Sequence, residues 1–171
     1  RRGRVYRTGR NWTKRHGEVY RYYLCSMASK RGHSTCAIRS IAAGIVEDAV
    51  IIHQQAWPGE QYILRVEAPL CAAHAVPGNF AHLQCEPALP MRRPLSIMRV
   101  DAKAGWVDFL YKAVGRGTQA LATRTPGETI SSIGPIGMPF VTDRSRPRTL
   151  LLGGGVGIPP MVFLADRLRQ D

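Results

Sequence analysis

From about residue 50 onward, "EQYILRVEA", "NFAHLQC", "LSIMRVD" and "WVDFLYKAV" set apolar side chains at every second position. This is the period of a strand with one buried face. The breaks between them, "WPG", "VPG", "MRRP" and "DAKAG", are rich in proline and glycine. Short strands at near-regular spacing with such turns predict a small antiparallel barrel or sandwich rather than a helical domain. "GRGTQALATRTPGE" departs from the alternation. It predicts a short helix, opened by glycine and stopped by Pro126 and Gly127.

The flanks follow other patterns. "GEVYRYYLCS" has the aromatic and β-branched content of a strand, and "KRGHSTCAIRS" reads as a turn returning to a second one. Ser40 then precedes Ile41, Ile45, Ala49 and Ile52, a helical stripe with a serine N-cap. The same region also reads as a strand leading through "WPG" into "EQYILRVEA". The expectation is a helix over about 41–48 and a strand from about Val50. At the other end, "RTLLLGGG" supplies the continuous apolar run of a central parallel strand. "GIPPMVFLADRLRQ" reads as a helix with prolines in its first turn, where missing amide donors cost nothing. The pattern divides the chain into a small basic β-ribbon and helix arm (1–47), a mainly β domain (48–146) and the first β-α unit of an α/β domain (147–171).

Charge separates the arm from the rest. Of the net +12, residues 1–50 contribute +8, from 11 Lys+Arg against 3 Asp+Glu. A polyanion partner is therefore sought in the arm; a solvated charged arm is the plainer reading. Cys25, Cys36, Cys71 and Cys85 contain no C-x-x-C pair. Without an export signal they read as reduced thiols, and Cys71 and Cys85 as small core residues in strand-like context. No apolar run approaches a membrane span, so no membrane partner is expected and the default location is cytoplasmic. The chain begins at Arg1 rather than Met, which reads as a fragment.

Candidate chemistry lies at strand ends. In "MRRPLSIMRV", Pro94 cannot donate to a sheet ladder, which leaves neighbouring amides and the Ser96 hydroxyl for a ligand. Arg92 or Arg93 beside it can grip a phosphate. "FLYKAVGRGTQAL" follows a strand with Gly115, Gly117 and Thr118 before the short helix, a suitable place for an anion. Arginine and helix start together can hold one pyrophosphate. "GGGVGIPP" is no phosphate-transfer loop, lacking the lysine and the following serine or threonine.

"PGNFAHL", "RRPLSI", "LYKAVGRGT", "PGETISSIGPIGMPF" and "LLLGGGVGIPP", in that order, resemble the ferredoxin-reductase superfamily. The likeness is greatest to the electron-transfer subunits of NAD-linked dihydroorotate dehydrogenases and covers about residues 48–171. It implies an antiparallel flavin-binding β-barrel holding FAD, followed by an α/β domain for NAD. Carried over residue by residue, Arg93, Pro94, Leu95 and Ser96 form the FAD motif, with the arginine on the pyrophosphate and the serine near the redox-active flavin nitrogen. Leu110, Tyr111 and Lys112 line the flavin and its ribityl chain. Gly117 and Thr118 take the pyrophosphate, and Gly153, Gly154, Gly155 and Gly157 form the turn under the nicotinamide cofactor.

The resemblance also implies electron relay between an FMN-containing dihydroorotate-oxidising partner, a two-iron two-sulfur cluster, FAD and NAD. No side chain acts as acid or base, since the cofactor does the redox work. The family's cluster cysteines lie after the nicotinamide domain, a region without counterpart in these residues. The nicotinamide site is correspondingly incomplete, with poor NAD affinity expected.

The arm resembles the C-terminal half of a serine-recombinase zinc ribbon, with Cys25 and Cys36 at two ligand positions and the other C-x-x-C pair absent. A structural zinc site needs four ligands, and His16 and His33 lack the spacing to supply two, so no metal is expected. The rival functions are DNA binding through residues 1–47, or a fusion of two gene pieces with no joint function.

Overall fold

The computed structural model describes residues 6–8, 12–13, 19–20, 22–25, 40–42, 45–89, 91–142 and 148–170. The chain divides into two compact units, Arg1–Gly44 and Ile45–Asp171. In the first, β1 (Tyr6–Thr8), β4 (Tyr22–Cys25) and β5 (Ser40–Ala42) make an antiparallel sheet in the order β1-β4-β5. A separate pair joins β2 (Trp12–Thr13) to β3 (Val19–Tyr20). Cys36, His16 and His33, and the Cys25 side chain, lie outside the described residues.

The second unit is a closed barrel of six antiparallel strands. They are β6 (Ile45–Trp57), β7 (Gln61–Glu67), β8 (Phe80–Leu83), β9 (Arg93–Asp101), β10 (Trp106–Lys112) and β11 (Thr129–Ile136), in the order β10-β7-β6-β11-β8-β9 with β9 returning to β10. Alternation drives each strand. In β7 Leu64 and Val66 point inward, in β10 Val107, Phe109 and Tyr111, and in β8 Ala81 and Leu83, filling the barrel. Closure leaves no strand edge open to other chains.

The helix expected over 41–48 does not form: Ser40–Ala42 is strand and β6 begins at Ile45. Ala49 fits both a helical stripe and an alternating strand; here it points with Ile51 into the barrel core, while Ile52 of the stripe is exposed. The strand prevails because β6 serves two neighbours. Its residues 45–50 pair with β11 and residues 50–57 with β7, a ladder no isolated two-turn helix can match.

A second correction concerns α1 (Pro69–His74), which the sequence pattern did not signal and which places Cys71 in a helix rather than a strand. Proline opens the helix. A residue distant in sequence then caps it: both carboxylate oxygens of Glu47 accept backbone N–H bonds, from Leu70 at 2.9 Å and Cys71 at 3.1 Å. Cys71 and Cys85 are buried free thiols, as core residues. The helix foreseen in "GRGTQALATRTPGE" forms as α2 (Arg116–Ala122), with Leu121 fully buried against the barrel.

The last segment follows the expectation in part. α3 (Ile158–Gln170) forms with Pro159 and Pro160 in its first turn and packs on β9 through buried Phe163 and Leu164. Arg99 Nε and Asp166 Oδ2 pair 3.0 Å apart across that contact. The parallel strand expected at "RTLLL" is not made. Leu150 and Leu152 are 81% and 79% exposed, and every strand pairing among the described residues is antiparallel. A parallel strand needs a parallel neighbour to satisfy its amides.

Candidate functional site

The strand pleat sorts the motif residues by face. In β9, Leu95 and Ile97 enter the core while Pro94 and Ser96 face outward. Register sets Ser96 opposite Phe80 and Pro94 opposite His82 on β8. The Phe80 and His82 rings lie 5.5 Å apart on that outer surface. Neither aromatic was singled out from the sequence. The signal was present in "NFAHLQC", where positions 80 and 82 alternate with buried Ala81 and Leu83. Burial, then the neighbouring Arg92 charge, lowers the His82 pKa from the ordinary imidazole range.

The two adjacent arginines have different tasks. Arg92 donates from Nη1 to the Ser131 carbonyl at 2.7 Å and from Nη2 to the Ser131 hydroxyl at 2.9 Å, which ties it to β11. Arg93 crosses instead to α2. A Cβ placed on Gly117 would stand 2.6 Å from Arg93 Nε, 3.1 Å from Cγ and 3.2 Å from Cζ. The arginine of the R-P-L-S motif therefore rests on the backbone of the helix start. Two motif elements separated by more than twenty residues meet at one place, and glycine is what lets them.

At that helix start Gly115 is the N-cap. The Thr118 hydroxyl accepts from the Gly115 N–H at 3.2 Å and donates to the Gly115 carbonyl at 3.1 Å. The turn is thus held by its own hydroxyl, with Gly117 buried beneath Arg93. Two cations, Arg93 and Arg116, and the amides of a helix start favour an anion.

On β10, Leu110 and Lys112 face away from the core and Tyr111 faces into it, 5% exposed. The Tyr111 ring stacks on Tyr62 at 5.4 Å and its hydroxyl donates to Gln54 Oε1 at 2.7 Å. Of the three residues expected to line a ligand, Tyr111 thus points into the core, unlike Leu110 and Lys112. Gln54 was not identified from the sequence.

The glycine turn is built around Gly153. A Cβ there would lie 2.7 Å from the Gly157 carbonyl oxygen and 2.9 Å from Met161 Cγ, so the chain folds directly onto the start of α3. Gly155 has φ +55°, a left-handed conformation suited to glycine. A short 3₁₀ turn, Gly155–Gly157, leads into α3.

No family model matches the chain. Curated relatives do. It is 34% identical over 126 residues to the electron transfer subunit of dihydroorotate dehydrogenase B (NAD(+)) of Bacillus cereus (strain G9842), covering 71% of this chain and 49% of that one. It is 36% identical over 128 residues to the same subunit of Geobacillus thermodenitrificans (strain NG80-2), covering 72% and 50%. Over the matched residues the chain is homologous to this subunit. It spans about half the length of the relatives it matches.

Among solved structures, the barrel unit resembles an NADH-dependent reduced ferredoxin-NADP oxidoreductase studied for flavin-based electron bifurcation. The TM-score is 0.65 at 26% identity, over 71% of this chain and 44% of that one. It shares its fold with the ferredoxin reductase of carbazole 1,9a-dioxygenase, with a TM-score of 0.65 at 22% identity over 74% and 39% of the two chains. Homology to the electron transfer subunits and the ferredoxin-reductase type of barrel agree with the order of the motifs along β8 to α3. The zinc-ribbon likeness of residues 1–47 finds no support in these relatives. Among the described residues no helix is long and apolar enough to cross a membrane.

Proposed function

We propose that this chain carries the flavin-holding part of an NAD-linked dihydroorotate dehydrogenase electron transfer subunit, with FAD as its cofactor. The observation that carries the reading is the seating of Arg93 on Gly117, which joins the R-P-L-S strand to the start of α2. A pyrophosphate is the group that needs both an arginine and open backbone amides at one place. The residues fit FAD: where the pyrophosphate is assigned, the absence of a Cβ on Gly117 lets the Arg93 side chain lie against the start of α2.

In this reading Arg93 and the backbone at Gly117 and Thr118 hold the pyrophosphate. Pro94, Ser96, Leu110 and Lys112, all on the outer face, border the flavin, with Ser96 offering its hydroxyl to the ring. Leu95 and Tyr111 hold those neighbours in place from the core. When bound, FAD supplies reversible electron storage, and the protein orients and tunes it. No described side chain is required to move a proton.

The proposed division is 48–146 for the flavin barrel and 147–171 for the opening of the nicotinamide half. Gly153, Gly154, Gly155 and Gly157 are assigned to the NAD side, with the first folded tightly onto α3. The described residues contain no group of three or more His, Cys, Asp or Glu able to hold a metal, and no ligand of a two-iron two-sulfur cluster is assigned to them. The partner in this reading is an FMN-containing dihydroorotate-oxidising subunit, and the cytoplasm is the location. Residues 1–47 receive no role.

Arg93→Ala tests the assignment. Loss of one charge-assisted contact, about 1.5–3 kcal/mol, predicts roughly 10- to 150-fold weaker FAD binding by flavin-fluorescence titration. FAD affinity equal to that of the unmodified chain refutes it.

A further inference from the structure

The helix that meets Arg93 has seven residues, Arg116–Ala122, too few to hold itself without tertiary contacts. Its position relative to the barrel is set largely at its far end. Gln54 Nε2 donates toward three carbonyl oxygens there, Leu121 at 3.2 Å, Ala122 at 3.1 Å and Arg124 at 3.2 Å. Leu121 and Ala122 close the helix and Arg124 lies just past it, where carbonyls lack the next-turn partners of a continuing helix; the Leu121 carbonyl also accepts the Arg124 N–H at 3.1 Å. Gln54 Oε1 accepts the Tyr111 hydroxyl at 2.7 Å.

The amide cannot be turned over without loss. Tyr111 donates, so the oxygen must face it and the nitrogen must face the helix. Burial, then the neighbouring Tyr62, holds the Tyr111 phenol above its ordinary range, so it remains a donor. Its ring is itself fixed by stacking on Tyr62. Gln54 stands just beyond the register shift of β6 between Ile51 and His53, opposite Leu64 of β7. One barrel side chain thus fixes the far end of a helix whose near end touches the motif arginine.

We propose that Gln54, oriented by Tyr111, is a positioning residue for the pyrophosphate end of the flavin site: it locks α2 so that Gly117 stays under Arg93. The proposal rests on the flavin reading above and adds a residue outside every recognised motif. A general brace of the fold would affect all ligands alike. A positioning role should affect ligands that contain the pyrophosphate and leave those that present only the flavin ring and ribityl chain.

The test compares FAD with riboflavin on the full chain by fluorescence titration. Gln54→Leu removes both halves of the link. The expected result is FAD binding weakened about tenfold or more, with riboflavin binding changed less than about twofold. Tyr111→Phe, which retains the ring and its stacking, keeps the test open should the leucine variant fail to fold. It should weaken FAD binding about threefold more than it weakens riboflavin binding. Equal losses for both ligands, or no loss for FAD in either variant, overturn the role of Gln54 alone. An unmodified chain that takes up neither flavin overturns the parent reading, and this one with it.

Discussion

Gly117→Ala puts a methyl group where Arg93 now lies. The new Cβ would stand 2.6 Å from Arg93 Nε and 3.1–3.2 Å from Cγ and Cζ, whereas carbon contacts are most favourable at about 3.5–4.0 Å. The arginine must therefore withdraw by close to 1 Å or more, about the scale on which a charge-assisted bond is lost. The backbone accepts the change readily. Gly117 is not in a left-handed conformation, and alanine in a helix is favoured over glycine by about 0.5–1 kcal/mol. Stability and affinity should move in opposite directions. Urea unfolding is expected to show stability unchanged or raised by up to about 1 kcal/mol, while FAD binding falls roughly 10- to 150-fold, corresponding to about 1.5–3 kcal/mol. Retention of FAD affinity within twofold, with the alanine chain folded, refutes the joint grip. A parallel loss of both stability and affinity refutes the claim that glycine serves the ligand rather than the fold.

Two further outcomes follow from buried groups elsewhere in the barrel. Arg65 Nε and Nη2 hold the two Asp108 carboxylate oxygens at 2.7 and 2.8 Å, with Asp108 2% exposed and Arg65 lying 3.6 Å over the Trp106 ring. Arg65→Met strands that carboxylate and should cost about 3 kcal/mol in urea unfolding; Asp108→Asn, which leaves the more exposed arginine free to meet water, should cost less, about 1–2 kcal/mol. Equal costs would contradict the account. For pH, burial, then the Glu47 charge, pushes the Cys71 thiol up to about 12. The folded chain holds that proton while the unfolded chain releases it above about pH 8.5, so stability should fall as pH rises between those values. His82 has the opposite sign: its pKa is lowered on folding, so the unfolded chain binds the proton first and stability should fall as pH drops below the ordinary imidazole range. Denaturant midpoints across pH should peak between the two ranges, and Cys71→Ala should flatten the alkaline side.

The barrel was legible because each strand repeats a local signal, an alternation that the closed sheet then buries. Elements whose stability comes from distant residues were not. α1 has six residues and depends on Glu47, which precedes its first capped amide by 23 positions. Ile41, Ile45, Ala49 and Ile52 make a correct helical stripe, but β6 gains two neighbouring strands that local periodicity cannot anticipate. "RTLLLGGG" carries the apolar run of a central strand, yet a strand needs a partner and none lies beside it among the described residues. In the site, the ordered motifs pointed to Arg93 and Gly117, and the fold brings them together. The residue pattern alone left Arg92 and Arg93 open and the family resemblance pointed to Arg93; the fold adds that Arg92 is engaged with Ser131. Gln54 sits beside Gln55 with no sequence feature to separate them; the register shift in β6 decides which one reaches the helix.

The central claim is that this barrel holds FAD. Titration of the purified full chain with FAD, followed by flavin fluorescence and by the flavin retained after gel filtration, tests it most directly. Saturable uptake approaching one FAD per chain is expected, weakened roughly 10- to 150-fold in Arg93→Ala. A folded chain that remains colourless after incubation with excess FAD would contradict it.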